Sequence, residues 1–120
     1  MLLWNQFRRL LLGTVVELLL EEGLPLDFRS IRIDFHRESD FRVPRLDNFM
    51  RFKGEVEAAL TEAPPDGAEQ RLSARLLKVW PELLAVVDLP VGDRLTQERN
   101  EVVVRIEANR VSVRFDLVAD

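Results

Sequence analysis

The first part of the chain holds a dense apolar segment, followed by a shorter stretch in which apolar and polar residues alternate. In residues 2–22, apolar side chains recur at helical spacing, and the apolar arc is wider than one stripe. This pattern predicts a helix that ends near Gly23 and Pro25. A helix that is apolar over most of its circumference must be covered on more than one side. It therefore either runs through the centre of the domain or meets another protein.

The next segment is predicted to form a strand and then a second helix. Residues 29–37 alternate with a period of two, which is typical of a half-buried strand. One face of this strand would hold Ile31, Ile33 and Phe35, and the other Arg32, Asp34 and His36. Pro44 is expected to open the second helix. Its inner side would carry Leu46, Phe49, Met50, Val56 and Leu60.

A loop at residues 63–70 precedes the third predicted helix. Asp66 and Glu69 within it stand at capping-box spacing. The apolar stripe that follows consists of Leu72, Leu76, Val79, Trp80, Leu83 and Val87. Pro81 is expected to kink this helix or to restart it as a short fourth helix.

The C-terminal part predicts a hairpin. After a polar stretch at 88–100, alternating runs at 102–107 and 110–118 are joined through Ala108-Asn109, and Asn tolerates the left-handed conformation of a tight turn. The predicted order is α-β-α-α-β-β, in a single α+β domain over residues 1–120. It has a small, mostly antiparallel three-stranded sheet with helices packed on one face. If the strand at 29–37 or the one at 110–118 lies at the border, its backbone could accept a partner's strand.

Composition narrows the class of protein. With 120 residues, 47% of them hydrophobic and 32% charged, the chain matches one globular domain. The absence of cysteine excludes disulfides and thiolate metal sites. Arg8, Arg9 and Glu17 interrupt the apolar N-terminal segment, which therefore falls short of the roughly 18 apolar residues of a membrane-spanning helix. We expect a cytoplasmic protein.

The stretch IRIDFHRESD, residues 31–40, holds the only histidine and is the one candidate for catalysis or metal binding. Asp34 and His36 point the same way on a strand, and Glu38 or Asp40 could complete a set of three ligands if the strand continues or bends. The ordinary interpretation is a solvated strand face, whose charges would meet Arg105, Ser112 and Arg114 on neighbouring strands. Because a one-sided sheet normally carries charges on its open face, we favour this interpretation. We assign no catalytic residue, metal, cofactor or small-molecule substrate.

The first functional hypothesis is a non-catalytic protein–protein interaction module of the adaptor, chaperone, inhibitor or immunity type. It would bind a partner, or itself as a homodimer, through the apolar N-terminal helix, because exposed apolar patches usually mark partner sites. The residues proposed for this contact are Trp4, Phe7, Leu11, Leu12, Val15 and Leu19.

The alternative hypothesis is a nucleic-acid-associated protein. Residues 29–53 hold seven basic and four acidic residues, although the whole chain has a net charge of −4. Five of the seven phenylalanines lie in residues 28–53, and basic residues interleaved with aromatics are typical of nucleic-acid surfaces. The residues proposed for this role are Arg29, Arg32, Arg37, Arg42 and Arg45.

Overall fold

The computed structural model describes residues 4–39, 50–86 and 100–119, which form an α+β fold. Their order along the chain is α-β-β-α-β-β. The helices are α1 (Trp4–Glu21) and α2 (Ala68–Ala85), and the strands are β1 (Arg32–Ser39), β2 (Met50–Ala59), β3 (Glu101–Glu107) and β4 (Arg110–Ala119). A short 3₁₀ turn at Phe28–Ser30 leads into β1.

The strands form one antiparallel sheet in the order β1-β2-β4-β3. The prediction of an antiparallel sheet is confirmed, but the prediction of three strands is wrong because residues 50–59 form a fourth. In the described part of the chain, β1 and β3 lie at the two borders. The strand predicted at 110–118 is therefore interior, and the one predicted at 29–37 is a border strand.

The predicted second helix is wrong for all of its residues that the structure describes, since Met50 and Val56 lie in β2 and Leu60 forms a bridge with Leu26. The physical reason is a period of two: Gly54, Val56 and Ala58 are buried, and the residues between them are not. In this conformation both sides of β2 form ladders with a neighbouring strand. Pro44, Leu46 and Phe49 lie outside the described residues.

The start of β1 is shifted from the prediction by a local turn. The carboxylate of Asp27 accepts a hydrogen bond from the Arg29 amide at 3.1 Å, and the Ser30 hydroxyl donates to the Asp27 carbonyl at 2.6 Å. The same hydroxyl oxygen accepts from the Ala59 amide at 2.7 Å. Because these bonds hold residues 28–30 in the 3₁₀ turn, the regular strand begins only at Arg32.

The third predicted helix is confirmed as α2, with two differences. It continues through Pro81, which is exposed, so the predicted restart as a fourth helix is wrong. Its N-cap is Gly67, with φ 75° and no side-chain hydrogen bond, so the predicted capping box does not form. Most of the predicted stripe is buried, Val79 is partly buried, and Val87 lies outside the described residues.

Both helices pack on one face of the sheet and enclose the core. In α2, Trp80 stacks on Phe115 with ring centroids 6.0 Å apart, and its indole N–H donates to the Asn100 carbonyl at 3.3 Å. The C-terminal end of α1 is joined to α2 by Arg71, whose Nε lies 3.0 Å from a Glu22 carboxylate oxygen. The opposite face of the sheet carries no described helix and is lined with polar residues.

The predicted hairpin between β3 and β4 is confirmed, with Ala108 and Asn109 in the turn. The residue with positive φ is Ala108, at 51°, rather than the expected asparagine. No helix in the described part of the chain is long and apolar enough to cross a membrane.

Candidate interaction surface

The apolar residues of α1 proposed for partner contact lie mostly in the core of the chain itself. Phe7, Leu11 and Val15 are fully buried and Leu19 is nearly so. These four side chains therefore pack against the sheet and α2 rather than lining a surface. Leu12 is half-buried at the flank of the core, and Trp4 is the first residue of the helix. The wide apolar arc consists of a buried stripe with Leu10 and Leu20 exposed beside it.

The polar face of the sheet holds the candidate chemistry of the sequence. It forms a shallow hollow of about 520 Å³. The register places Glu57 opposite Arg32, Glu55 opposite Asp34 and Lys53 opposite His36. The predicted contacts of β1 with Arg105, Ser112 and Arg114 are wrong, because β2 lies between β1 and the strands that carry those residues.

Charges on this polar face are largely paired within the chain. Arg114 Nε lies 3.2 Å from one Glu55 oxygen, and the Ser112 hydroxyl donates to the other at 3.2 Å. Arg110 forms an ion pair with Glu57, and its hydrogen bond holds the pKa of that carboxyl below its usual value. Paired groups of this kind have little free charge to offer a ligand.

Asp34 is exposed and lines the hollow, and positions 36 and 38 follow it on the same strand. Within residues 4–39, 50–86 and 100–119, no three acidic or histidine side chains cluster closely enough to hold a metal ion. The metal or catalytic interpretation of Asp34, His36 and Glu38 stays a hypothesis.

The arginines proposed for nucleic-acid binding are spread over several elements. Arg29 is exposed on the 3₁₀ turn, and Arg32 is exposed at the start of β1. Arg37 occupies a position further along β1, and Arg42 and Arg45 lie outside the described residues. Arg32 stands opposite an acidic residue of β2, so its charge is partly offset within the chain.

The border strand β1 is covered less than the strands beside it. One cross-strand row on the helix-covered face contains Ile33, Val56, Val113 and Val104, in order from β1 to β3. Their exposed fractions are 51%, 1%, 0% and 8%. An isoleucine in the position of a core residue is thus half exposed at one border, whereas the valine at the other border is buried.

The opposite border, β3, is covered by α2. A Glu69 carboxylate oxygen accepts a hydrogen bond of 2.7 Å from the backbone N–H of Ile106. Outward-pointing N–H groups of a border strand are the groups that a foreign strand would bind. Glu69 therefore occupies one of them.

The N-terminal half of α1 contacts β1 through the side chain of Phe35. The Arg8 guanidinium carbon is 5.9 Å from the centroid of the Phe35 ring, a cation–π arrangement. The Phe35 ring in turn lies close against Gly54 of β2, where an ideal Cβ would be only 2.5 Å from the ring carbon Cδ2. Helix α1 thus interacts with the Phe35 side chain, and Ile33, two residues earlier, stays half exposed.

Sequence reasoning named the strands at 29–37 and 110–118 as possible borders, but it could not choose between them because it missed β2. A signal for β2 was present, since charged residues alternate at Lys53, Glu55 and Glu57.

Comparison with protein-family models, with curated proteins and with solved structures gives no match. The function must therefore be inferred from the residues and geometry of the chain.

Proposed function

We propose that this α+β domain is a non-catalytic protein–protein interaction module of the adaptor, chaperone, inhibitor or immunity type. It binds another protein, or a second copy of itself, through the border formed by β1 and the adjoining flank of α1. The observation that carries this proposal is the half-exposed Ile33 in a row whose other three members are buried. Apolar side chains left open in this way usually mark contact sites.

A border strand offers two kinds of interaction at once. Its outward N–H and C=O groups can form a ladder with an added strand, and its apolar side chains supply specificity. Proteins that avoid such contacts protect their borders, as Glu69 does for β3. On β1 the apolar side chain of Ile33 is half exposed, which favours a partner at β1.

The contribution of α1 differs from the one the sequence suggested. Phe7, Leu11, Val15 and Leu19 stabilise the fold, so they support the surface without forming it. Among the described side chains of the residues proposed for partner contact, that of Leu12 is half-buried and the others are buried. It lies one turn after Arg8 on the same side of the helix, the side that meets β1.

The proposal is tested by a pull-down from native extract with the tagged protein, with and without nuclease and at low and high salt. Ile33→Asp places a charge on the open border, and because the side chain is already half exposed the core loses little. Val103→Asp is the matched control, since Val103 is a partly exposed apolar residue on β3. We expect a discrete protein partner that survives nuclease and salt, is lost with Ile33→Asp and is retained with Val103→Asp.

Two results would contradict the proposal. One is a partner that binds Ile33→Asp as well as the unaltered protein. The other is captured material that disappears with nuclease or with salt, which would indicate a phosphate-binding surface at Arg29 and Arg32. The ion pairs of Arg110 and Arg114 with glutamates give the nucleic-acid alternative less support.

A further inference from the structure

We infer that the occupant of the β1 border is a second copy of this chain, paired antiparallel to β1 about a two-fold axis at Phe35. This inference rests on the proposed function and specifies its partner. It is carried by three features of the chain: the direction of the backbone groups of β1, the order of its charges, and the asymmetry between the two borders of the sheet.

The direction of the backbone groups follows from hydrogen bonds at the end of β2. The Ala59 carbonyl accepts from the Asp27 amide at 2.9 Å, and the Ala59 amide donates to Ser30, so this residue points toward the β1 side. The next residue, Leu60, donates to the Asn109 carbonyl on the β4 side. Because backbone groups alternate along a strand, Glu57 and every second residue before it also point to β1.

The partners of those β2 residues on β1 therefore point inward. They are Arg32, Asp34, His36 and Glu38. It follows that Ile33, Phe35, Arg37 and Ser39 direct their N–H and C=O groups outward, to the border. An antiparallel copy must match both this alternation and the two faces of the sheet, since a slip of one residue would turn every side chain to the wrong face. The two-fold axis can therefore pass through a residue of β1 but not between two residues.

The charges of β1 select the axis at Phe35. Its polar-face positions read Arg32, Asp34, His36 and Glu38. With the axis at Phe35, Arg32 stands opposite Glu38 of the second copy, and Asp34 stands opposite His36, which has a ring N–H to donate. Each pair occurs twice by symmetry.

These pairs lie at the non-hydrogen-bonded positions, where opposing Cα atoms are about 4.5 Å apart and side chains are closest. Three other axes would oppose like charges, since Arg37 or Asp34 would face its own copy, or, with the axis at His36, Asp34 would face Glu38. An axis at Ile33 would pair Glu38 with a residue outside β1. The axis at Phe35 pairs residues 32–38 of β1 with one another and opposes no like charges.

The helix-covered face is compatible with the same arrangement. The two-fold axis is perpendicular to the joined sheet, so the helices of both copies lie on one face and their α1 helices flank the junction. Arg8 lies over Phe35, and the chain that follows α1 reaches the end of β2, where the Thr61 amide donates to the Pro25 carbonyl. The helix thus runs back along β1 and carries Leu12 toward Ile33. Both half-exposed side chains gain cover in the dimer.

A charge-exchange experiment tests both the dimer and its register. In Arg32→Glu the two Arg–Glu pairs become Glu–Glu, and in Glu38→Arg they become Arg–Arg. An equimolar mixture of the two variants restores both pairs in the heterodimer, because each altered residue then faces an opposite charge. Arg105→Glu is the matched control, since Arg105 is exposed in the same cross-strand row at the other border of the sheet.

The mass in solution is measured by sedimentation velocity over a range of concentrations. We expect a dimer for the unaltered protein and for Arg105→Glu. Each β1 variant alone should have its dissociation constant raised about tenfold to one hundredfold, as two cross-strand pairs change sign. The mixture should recover the original dimer. Arg32 also faces Glu57 within its own chain, but that loss is the same before and after mixing, so it cannot imitate the recovery.

The inference is overturned if the unaltered protein is monomeric at every concentration, if either β1 variant dimerises as well as the original, or if mixing restores nothing. These results differ from a failure of the proposed function. A monomeric chain that still loses a foreign protein partner with Ile33→Asp would keep the interaction module and exclude only the second copy as its occupant.

Discussion

The close approach of the Phe35 ring to Gly54 predicts that Gly54→Ala lowers the free energy of unfolding. A second substitution, Phe35→Ala, should reverse the sign of this effect. Gly54 is buried in β2, between the Phe35 ring on β1 and the Phe115 ring on β4. A Cβ at residue 54 would lie 2.5 Å from Phe35 Cδ2, 2.7 Å from Cε2 and 3.4 Å from Phe115 Cδ2. Ordinary van der Waals contact begins at 3.4 Å. In Gly54→Ala the Phe35 ring must therefore retreat by about 1 Å, since the distances leave no room on the other side.

Two opposing contributions set the magnitude. Forcing an extra methyl group into a packed site costs about 1–3 kcal/mol. Replacing a strand glycine by alanine gains about 0.5–1 kcal/mol, because the unfolded chain loses less freedom on folding. The expected net result for Gly54→Ala is a loss of about 1–2 kcal/mol in the free energy of unfolding.

The assay is equilibrium unfolding in urea, applied to a double-mutant cycle with Phe35→Ala. Without the ring the steric cost vanishes, so Gly54→Ala should then stabilise the protein by about 0.5 kcal/mol. Measurements at two protein concentrations separate folding from self-association. An equal cost of Gly54→Ala in both backgrounds, or no cost in the unaltered protein, would refute the reasoning.

Three further predictions concern the borders and ends of the elements. Glu69→Ala removes the acceptor of the Ile106 N–H and should cost about 1–2 kcal/mol, with faster amide exchange at Ile106, whereas Glu69→Gln keeps an acceptor oxygen and should cost less. Ala108→Gly relieves a φ of 51° and should raise the free energy of unfolding by about 0.5–1 kcal/mol, seen as a higher urea midpoint. The hydrogen bond from Arg71 holds the pKa of Glu22 below its usual value, so the stabilisation from Glu22 is present above that usual pKa and is lost as the pH falls through the lowered pKa. The acid limb of the stability curve should therefore be shallower in Arg71→Met, and an unchanged limb would contradict this assignment.

The elements that the sequence predicted correctly are those with a strong local period. Helix α2 repeats buried Leu72, Leu76 and Trp80 at helical spacing, and the β3–β4 hairpin alternates valines with charged residues. Strand β2 was missed because two of its inward positions are Gly54 and Ala58, which add little to an apolar pattern. At Gly54 the small residue is required by rings on two other strands, and that information is not present in the local sequence.

The apolar arc of α1 shows a second limit of sequence reasoning. The pattern correctly indicated a helix with more apolar surface than one stripe, but not which part of the arc would face the sheet. The face of α1 that is buried in the core carries Phe7, Leu11 and Val15, which belong to the same core cluster as the buried residues of β2 and β4. Leu10 and Leu20 are equally apolar but lie outside that face and are exposed.

The two border strands of the sheet, β1 and β3, differ in how the helices contact them. At β3 a side chain of α2 reaches the backbone itself, since Glu69 accepts from Ile106. At β1 the described contact from the helix is made to a side chain, because Arg8 stacks over the Phe35 ring and not against the strand's polar groups. The outward N–H and C=O groups of a border strand are the groups that another strand can pair with. From the sequence alone, the alternating charges of β1 favour a solvated strand face. An antiparallel copy of the same strand would complement these charges.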